Sequence, residues 1–287
     1  MRKTLLIAAA ALAAGVISSQ AQTVYSQNVV GYINQTIPAG SFLPVGGSLI
    51  NGSDVNQTNG NINTTITNGL VSDVNGPPTG SNTTVYVWDS VHGGVATFSY
   101  FNAADATYWQ QGGPGGPAYP AGFYDINGNA LTYSLTPGLA VYLQNKFSHP
   151  ITVTTVGTVF QGTNVTPIVP GFQFLAFNAP VSDVPNSTNT YGLPSNLTSS
   201  TVGDLLHNDS IYVWDSTHGG VATFLWFNAA DATYWEQGGP GGPAFPAGFY
   251  DINGNPLPSY DNPSVNGGFY LDHIGSTIQW TNSFQVQ

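Results

Sequence analysis

The chain has no cysteine, and beyond its third residue its only lysine or arginine is Lys146. The first absence excludes disulfides and a lipidated N-terminal cysteine, so an exported chain of this kind must hold together by burial. The second argues against nucleic acid as a partner, because phosphate clamps are built from Arg and Lys. Ion pairs contribute little, since one permanent cation faces 14 acids. Glutamate is nearly missing too: Glu236 stands alone beside 13 aspartates. Aspartate is a turn residue as well as an oxygen ligand. After the N-terminal stretch no run is apolar enough to cross a bilayer as a helix.

That N-terminal stretch has the layout of an export signal. Arg2 and Lys3 are followed by an apolar, alanine-rich segment from Thr4 to Ile17, then by Ser19-Gln20-Ala21 with small residues at the positions a signal peptidase reads. Residues 1–21 are therefore expected to be removed, and the protein to be exported to an extracellular, cell-surface or periplasmic location with no transmembrane segment left. All 36 aromatic residues lie in the part that follows. At about 25 cal/mol per Å2 of buried apolar surface, rings of roughly 150–250 Å2 each supply enough burial without disulfides.

The dominant feature is a repeat. Tyr86–Asn129 recurs as Tyr212–Asn255 at a constant offset of 126 residues, and 40 of 47 positions match between Val85–Leu131 and Ile211–Leu257. Such identity reflects either tight constraint or recent exchange between copies, so it carries no functional weight alone. Weaker echoes of the flanks divide the chain into units 22–155 and 156–287. Within each core, Val85–Asp89 and Val95–Phe101 alternate as a hairpin, with Tyr86 and Trp88 on one face and Val85 and Val87 on the other. Asn102 is positioned to cap a short helix through Trp109. Gly112–Pro117 reads as an irregular loop, and Asn127-Gly128 as a two-residue hairpin turn. The expected fold is all-β: two tandem antiparallel domains, each a small β-sandwich or open barrel.

Four chemistries compete for the polar and aromatic residues. Sugar hydrolysis needs two carboxylates across a scissile bond. Glu236 is matched by Gln110, which leaves Asp89, Asp105 and Asp125 with their copies Asp215, Asp231 and Asp251. His92 and His218 lie three residues after an aspartate, but no Gly-x-Ser-x-Gly supplies a nucleophile, and zinc spacing is absent. Calcium is the candidate cofactor: Asp125, Asn127 and Asn129, and again Asp251, Asn253 and Asn255, place oxygens at alternate positions. The sixth and twelfth positions of an EF-hand loop are not filled, and a hairpin accounts for the same residues. Glycan stacking is the fourth. Tyr108 and Trp109, with Tyr234 and Trp235, are the candidate ligand-binding rings, because they adjoin the glycine-proline loop where a ring is harder to bury.

The mature start Val24-Tyr-Ser-Gln-Asn-Val-Val-Gly-Tyr32, the Tyr-Val-Trp-Asp hairpins and the Gly-Phe-Tyr-Asp-Ile-Asn-Gly-Asn turns resemble a loosely defined group of uncharacterised secreted bacterial proteins. That resemblance implies export and tandem β-units and carries no activity. The expected function is non-enzymatic, in structure or adhesion. A tandem carbohydrate-binding module is the alternative and a glycoside hydrolase the third reading. The expected partners are extracellular polysaccharide or further copies of the chain.

Overall fold

The computed structural model describes residues 30–50, 62, 66–75, 80–89, 92–111, 119–177, 179–180, 192–215, 220–237, 245–257 and 267–284. The export signal, the Gly112–Pro117 loop and His218 lie outside them. The described chain is all-β, with antiparallel sheets and two short helices. No helix among the described residues is long and apolar enough to cross a membrane.

The first unit is a two-layer sandwich. Its inner sheet has the order β2 (Phe42–Gly46), β8 (Ala140–Gln144), β5 (Thr84–Asp89), β6 (Gly94–Phe101) and β7 (Gly122–Tyr124). Its outer sheet joins β1 (Val30–Ile37) to β9 (Ile151–Val159), with β3 (Leu49–Ile50) and the three-residue β4 (Ile66–Asn68) also pairing to β9. Side chains alternate along a strand, so Val85 and Val87 of β5 and Val141 and Leu143 of β8 meet Ile37, Ile151 and Val153 of the outer sheet in one core. The second unit repeats the inner sheet as β11 (Gly171–Ala176), β15 (Gly268–His273), β12 (Ser210–Asp215), β13 (Gly220–Phe227) and β14 (Gly248–Tyr250). Its outer layer is the pair β10 (Gly162–Ile168) and β16 (Ile278–Phe284), with Ile168 and Trp280 packed on Ile211, Val213, Phe269 and Leu271.

Strand pairing moves the boundary between units. β9 pairs with β1 along Ile151–Thr158, entirely inside the first unit, and β10 opens the second. The handover is thus at Phe160–Gln161, a few residues after position 155. The counterpart of β1 is β10, because Ile37 opposes Ile151 as Ile168 opposes Ile278.

The two inner sheets pack against each other, giving four stacked layers. The faces that meet carry the rings left over after each core is filled. Phe42 meets Trp214 (5.6 Å between centroids) and, reciprocally, Phe172 meets Trp88 (6.1 Å). Tyr142 stacks on its own counterpart Tyr270 at 4.1 Å. Register confirms the equivalence, since Tyr86 opposes Tyr142 as Tyr212 opposes Tyr270. A contact in which residue i meets j and j meets i is isologous, the signature of a twofold interface. Here both halves are on one chain. At its centre Gly268 faces Ala140, and a Cβ on Gly268 would lie 2.5 Å from that of Ala140. The smallest side chains therefore sit where the sheets approach most closely. Leu139 touches both cores and forms a bridge to Leu175, tying the units together at one end.

Candidate functional site

Each expected site residue has a definite place. The helices α1 (Ala103–Gln111) and α2 (Ala229–Gln237) start as the sequence implies. Asn102 Oδ1 accepts from Asp105 N at 2.9 Å, and Asn228 Oδ1 from Asp231 N at 2.9 Å. The Asp105 carboxylate accepts from Ser72 Oγ (2.6 Å) and Asn102 Nδ2 (2.7 Å), and Asp231 accepts likewise from Ser199 and Asn228. These two acids are parts of helix caps.

The ring candidates divide. Trp109 stacks on Phe101 at 4.7 Å and 11°, and Trp235 on Phe227 at 4.6 Å and 15°. Each closes a small satellite core with Tyr124 or Tyr250. Gly203 lies against the indole of Trp235, where any side chain would collide with the ring. Tyr108 and Tyr234 are instead 46 % exposed. Neighbours on a helix point about 100° apart, so Tyr108 and Trp109 do not form one platform, and neither do Tyr234 and Trp235.

The alternating oxygens of Asp125, Asn127 and Asn129 belong to a self-closed turn. Asp125 Oδ1 accepts from Asn127 N (2.9 Å) and Asn129 N (2.7 Å), and Oδ2 from Asn129 Nδ2 (2.8 Å). Asp251 makes the same bonds with Asn253 and Asn255. The loop is not the expected two-residue turn. Gly128 N bonds Asp125 O and Asp125 N bonds Asn129 O, so Ile126-Asn127 form the corner and Gly128 (φ 85°) is the left-handed residue after it. That is the three-residue loop with a glycine bulge, and it adds the residue that lets Asp125 reach both amides. Burial pushes the Asp125 and Asp251 carboxyls up, but the bonds from the asparagines together hold both below the usual range. Among the described residues no cluster of three His, Cys, Asp or Glu is arranged for a metal.

The acids do not converge as a glycosidase pair. Asp89 ends β5, Asp105 caps α1 and Asp125 follows β7. In the second unit Asp215 and Asp251 line one groove. Their strands flank β13, with Asp215 opposite Gly220 and Tyr250 opposite Leu225. This puts their α-carbons roughly 16 Å apart.

Two features were not legible beforehand. One is a buried pair: Asp209 and His273 are 0 % and 1 % exposed. His273 Nδ1 is 2.7 Å from Asp209 Oδ2 and Nε2 is 2.7 Å from Ser276 O. Both ring nitrogens face acceptors. Thr198 N and Ile274 N also donate to the Asp209 carboxylate (2.7 and 2.8 Å). In the first unit the matching positions are Thr83 and Asn145: Thr83 Oγ1 accepts from Val71 N, and Asn145 Nδ2 donates to Ile37, Pro38 and His149 carbonyls. One corner is thus built twice, from Thr83 and Asn145 in one unit and from Asp209 and His273 in the other. The flanks carrying it lie outside the near-identical repeat, so no sequence pattern links Asp209 to His273.

The other is the groove itself, with a volume of about 1030 Å3. It is lined by the Gly203–Leu206 loop, by Ile252 and Pro256 of the turn after β14, and by Ala222 to Leu225 of β13.

Next to the buried pair, Asp272 carries an energetic cost. Burial and the nearby Asp209 carboxylate push its carboxyl up, with His273 opposing. A carboxyl raised in the folded state favours folding below its unfolded pKa and loses that as pH rises through the folded value. Gln144 holds the equivalent place in the first unit and accepts from Tyr86 Oη at 2.7 Å. Asp272→Asn is therefore expected to raise the melting temperature at pH 7 and to leave it unchanged near pH 3, as read by thermal melts at both values. A gain of equal size at both pH values would contradict this. Asp125 and Asp251 have the opposite sign: their contribution is full above the ordinary carboxylate pKa and is lost as pH falls through their lowered values.

The fold and the sites define a class, an all-β protein of two sandwiches joined face to face. No protein-family model, no curated protein and no solved structure matches the chain.

Proposed function

We propose that the protein is a non-enzymatic exported protein acting in structure or adhesion, with its two outer sheets as the contact faces. The observation that carries this reading is charge. Strands β1, β9, β10 and β16 contain no charged residue, although the chain has 14 acids. Exposed sheet faces and edges ordinarily carry charge that blocks association. Here the outward side chains are Val30, Tyr32 and Val165 together with hydroxyls and amides that bond to one another. Thr36 Oγ1 pairs with Thr152 Oγ1 (3.1 Å), Thr154 Oγ1 donates to Asn34 Oδ1 (2.8 Å), and Thr163 Oγ1 pairs with Ser283 Oγ (2.7 Å). The two faces lie at opposite ends of the four-layer stack, so one molecule is able to engage two surfaces and gain by avidity. Asp105, Asp125, Asp209, Asp231 and Asp251, meanwhile, are engaged in caps, turns and the buried pair.

Carbohydrate binding is the second reading, favoured by Tyr32. Its ring is 71 % exposed on the same face as Asn34 and Thr36, where it is placed to stack on a sugar while the ladder bonds hydroxyls. Depletion of the protein by suspended cellulose or chitin tests both readings. Adhesion through these faces predicts retention that falls by about tenfold when Thr154→Lys and Thr281→Lys place a charge on each face. Tyr32→Ala separates the readings, since only glycan stacking depends on that ring. Retention unchanged by both lysines would remove the outer sheets from the function.

A further inference from the structure

We propose that the groove of the second unit docks a cationic, apolar peptide segment of a partner protein, with a Lys or Arg side chain flanked by aliphatic ones. The lining carries apolar side chains that the fold leaves in water: Leu206 is 80 % and Ile252 79 % exposed, and both line the groove. Large apolar side chains gathered at a concave surface mark interaction sites. The leucine rim belongs to the second unit alone. The loops between Ser72 and Asn82 and between Ser199 and Asn208 start and end alike, since both serines donate to the cap aspartates and both asparagines donate to β6 or β13 carbonyls. Between those anchors the first unit has Asp-Val-Asn-Gly-Pro-Pro-Thr-Gly-Ser and the second Ser-Thr-Val-Gly-Asp-Leu-Leu-His. The second loop turns on Asp204, whose carboxylate accepts from Leu206 N (2.9 Å) and His207 N (3.0 Å), and this turn sets the leucine pair on the rim.

The charge of the occupant follows from the same lining. Asp204, Asp215 and Asp251 all contribute to it. The side-chain bond from His207 (2.8 Å) keeps the Asp204 carboxyl below the usual range, and the turn bonds do the same for Asp251. Anions beside apolar walls attract a cation strongly, because the low-dielectric wall focuses the field. The chain has almost none to offer. Lys146 lies just past β8 in the first unit, and His207, next to the lining residue Leu206, is already bonded to Asp204. The cation must come from another molecule. A glycan fits the groove poorly, since its one described aromatic, Phe224, is buried. Pockets of about 300–1,000 Å3 hold ligands of this scale, so the volume suits a short segment.

Calorimetry on the full mature chain tests this with three acetylated, amidated pentapeptides: Leu-Lys-Leu-Lys-Leu, Leu-Glu-Leu-Glu-Leu and Ser-Lys-Ser-Lys-Ser. The first is expected to bind, more weakly as salt is raised. The second is expected not to bind, and the third to bind at least about tenfold more weakly than the first, given what burying leucines contributes. Leu206→Ser and Ile252→Ser remove exposed side chains, so each should keep the wild-type melting temperature and weaken the first peptide about tenfold. Binding of the glutamate peptide as tight as that of the lysine peptide, unchanged affinity in both serine variants, or binding of cellohexaose in place of the lysine peptide would each overturn the proposal. Loss of binding in Thr154→Lys does not bear on it, so adhesion by the outer sheets and docking in the groove fail independently.

Discussion

Replacing His273 by asparagine is expected to lower the unfolding free energy by about 3–5 kcal/mol, because it breaks a fully buried pair and leaves Asp209 without that partner. Asp209→Thr should cost a similar amount by leaving His273 Nδ1 without its buried partner. The first unit supplies the control, since it closes the same corner with Thr83 and Asn145 and no charge. The double variant Asp209→Thr with His273→Asn copies that solution. It should recover most of the loss, because exchanging a buried ion pair for a satisfied neutral set is often close to neutral. Denaturant melts of the four proteins form a double-mutant cycle. Two single losses that simply add in the double variant would show that the pair does not act as a unit.

Phe174→Ala is expected to cost about 3–5 kcal/mol, the range for truncating a fully packed ring, and to change the shape of the transition as well. Phe174 belongs to neither sandwich core. It lies between the inner sheets, against Trp88 (6.2 Å), Tyr142 (5.3 Å) and Tyr270 (4.3 Å). Its loss weakens the coupling between the units more than either unit. Calorimetry should therefore pass from one transition to two, the behaviour of domains that have lost their shared interface. A single transition shifted by less than about 1 kcal/mol would place the coupling elsewhere, at the Leu139–Leu175 bridge.

Much of the candidate chemistry was legible as residue types and little of it as geometry. The cap role of Asn102 and the turn role of Asp125 followed from local hydrogen-bonding reach, over four or five consecutive residues. The turn type was missed, because Asn127-Gly128 suits either a two-residue turn or a three-residue loop with a glycine bulge. The choice rests on the Asp125 carboxylate reaching the Asn129 amide. Trp109 looked too close to the glycine-proline loop to be buried. Phe101, at the end of β6, takes its ring face to face.

The sequence by itself determined the duplication, the β class and the two faces of each repeated hairpin, since alternation along a strand is local and needs no partner to be read. Val85 and Val87 on one side and Tyr86 and Trp88 on the other are found as the pattern implies. Only the tertiary structure decided what each face meets. The valines meet an outer sheet formed by strands more than a hundred positions apart, Val30–Ile37 with Ile151–Val159. The rings meet those of the other inner sheet across an approximate twofold axis, Trp88 against Phe172 and Tyr142 against its own copy Tyr270. Burial rewards an aromatic side chain equally for filling a core, an interface or a ligand site. A sequence rich in rings therefore shows how much surface must be covered, and only the packing of one sheet on the next shows what covers it.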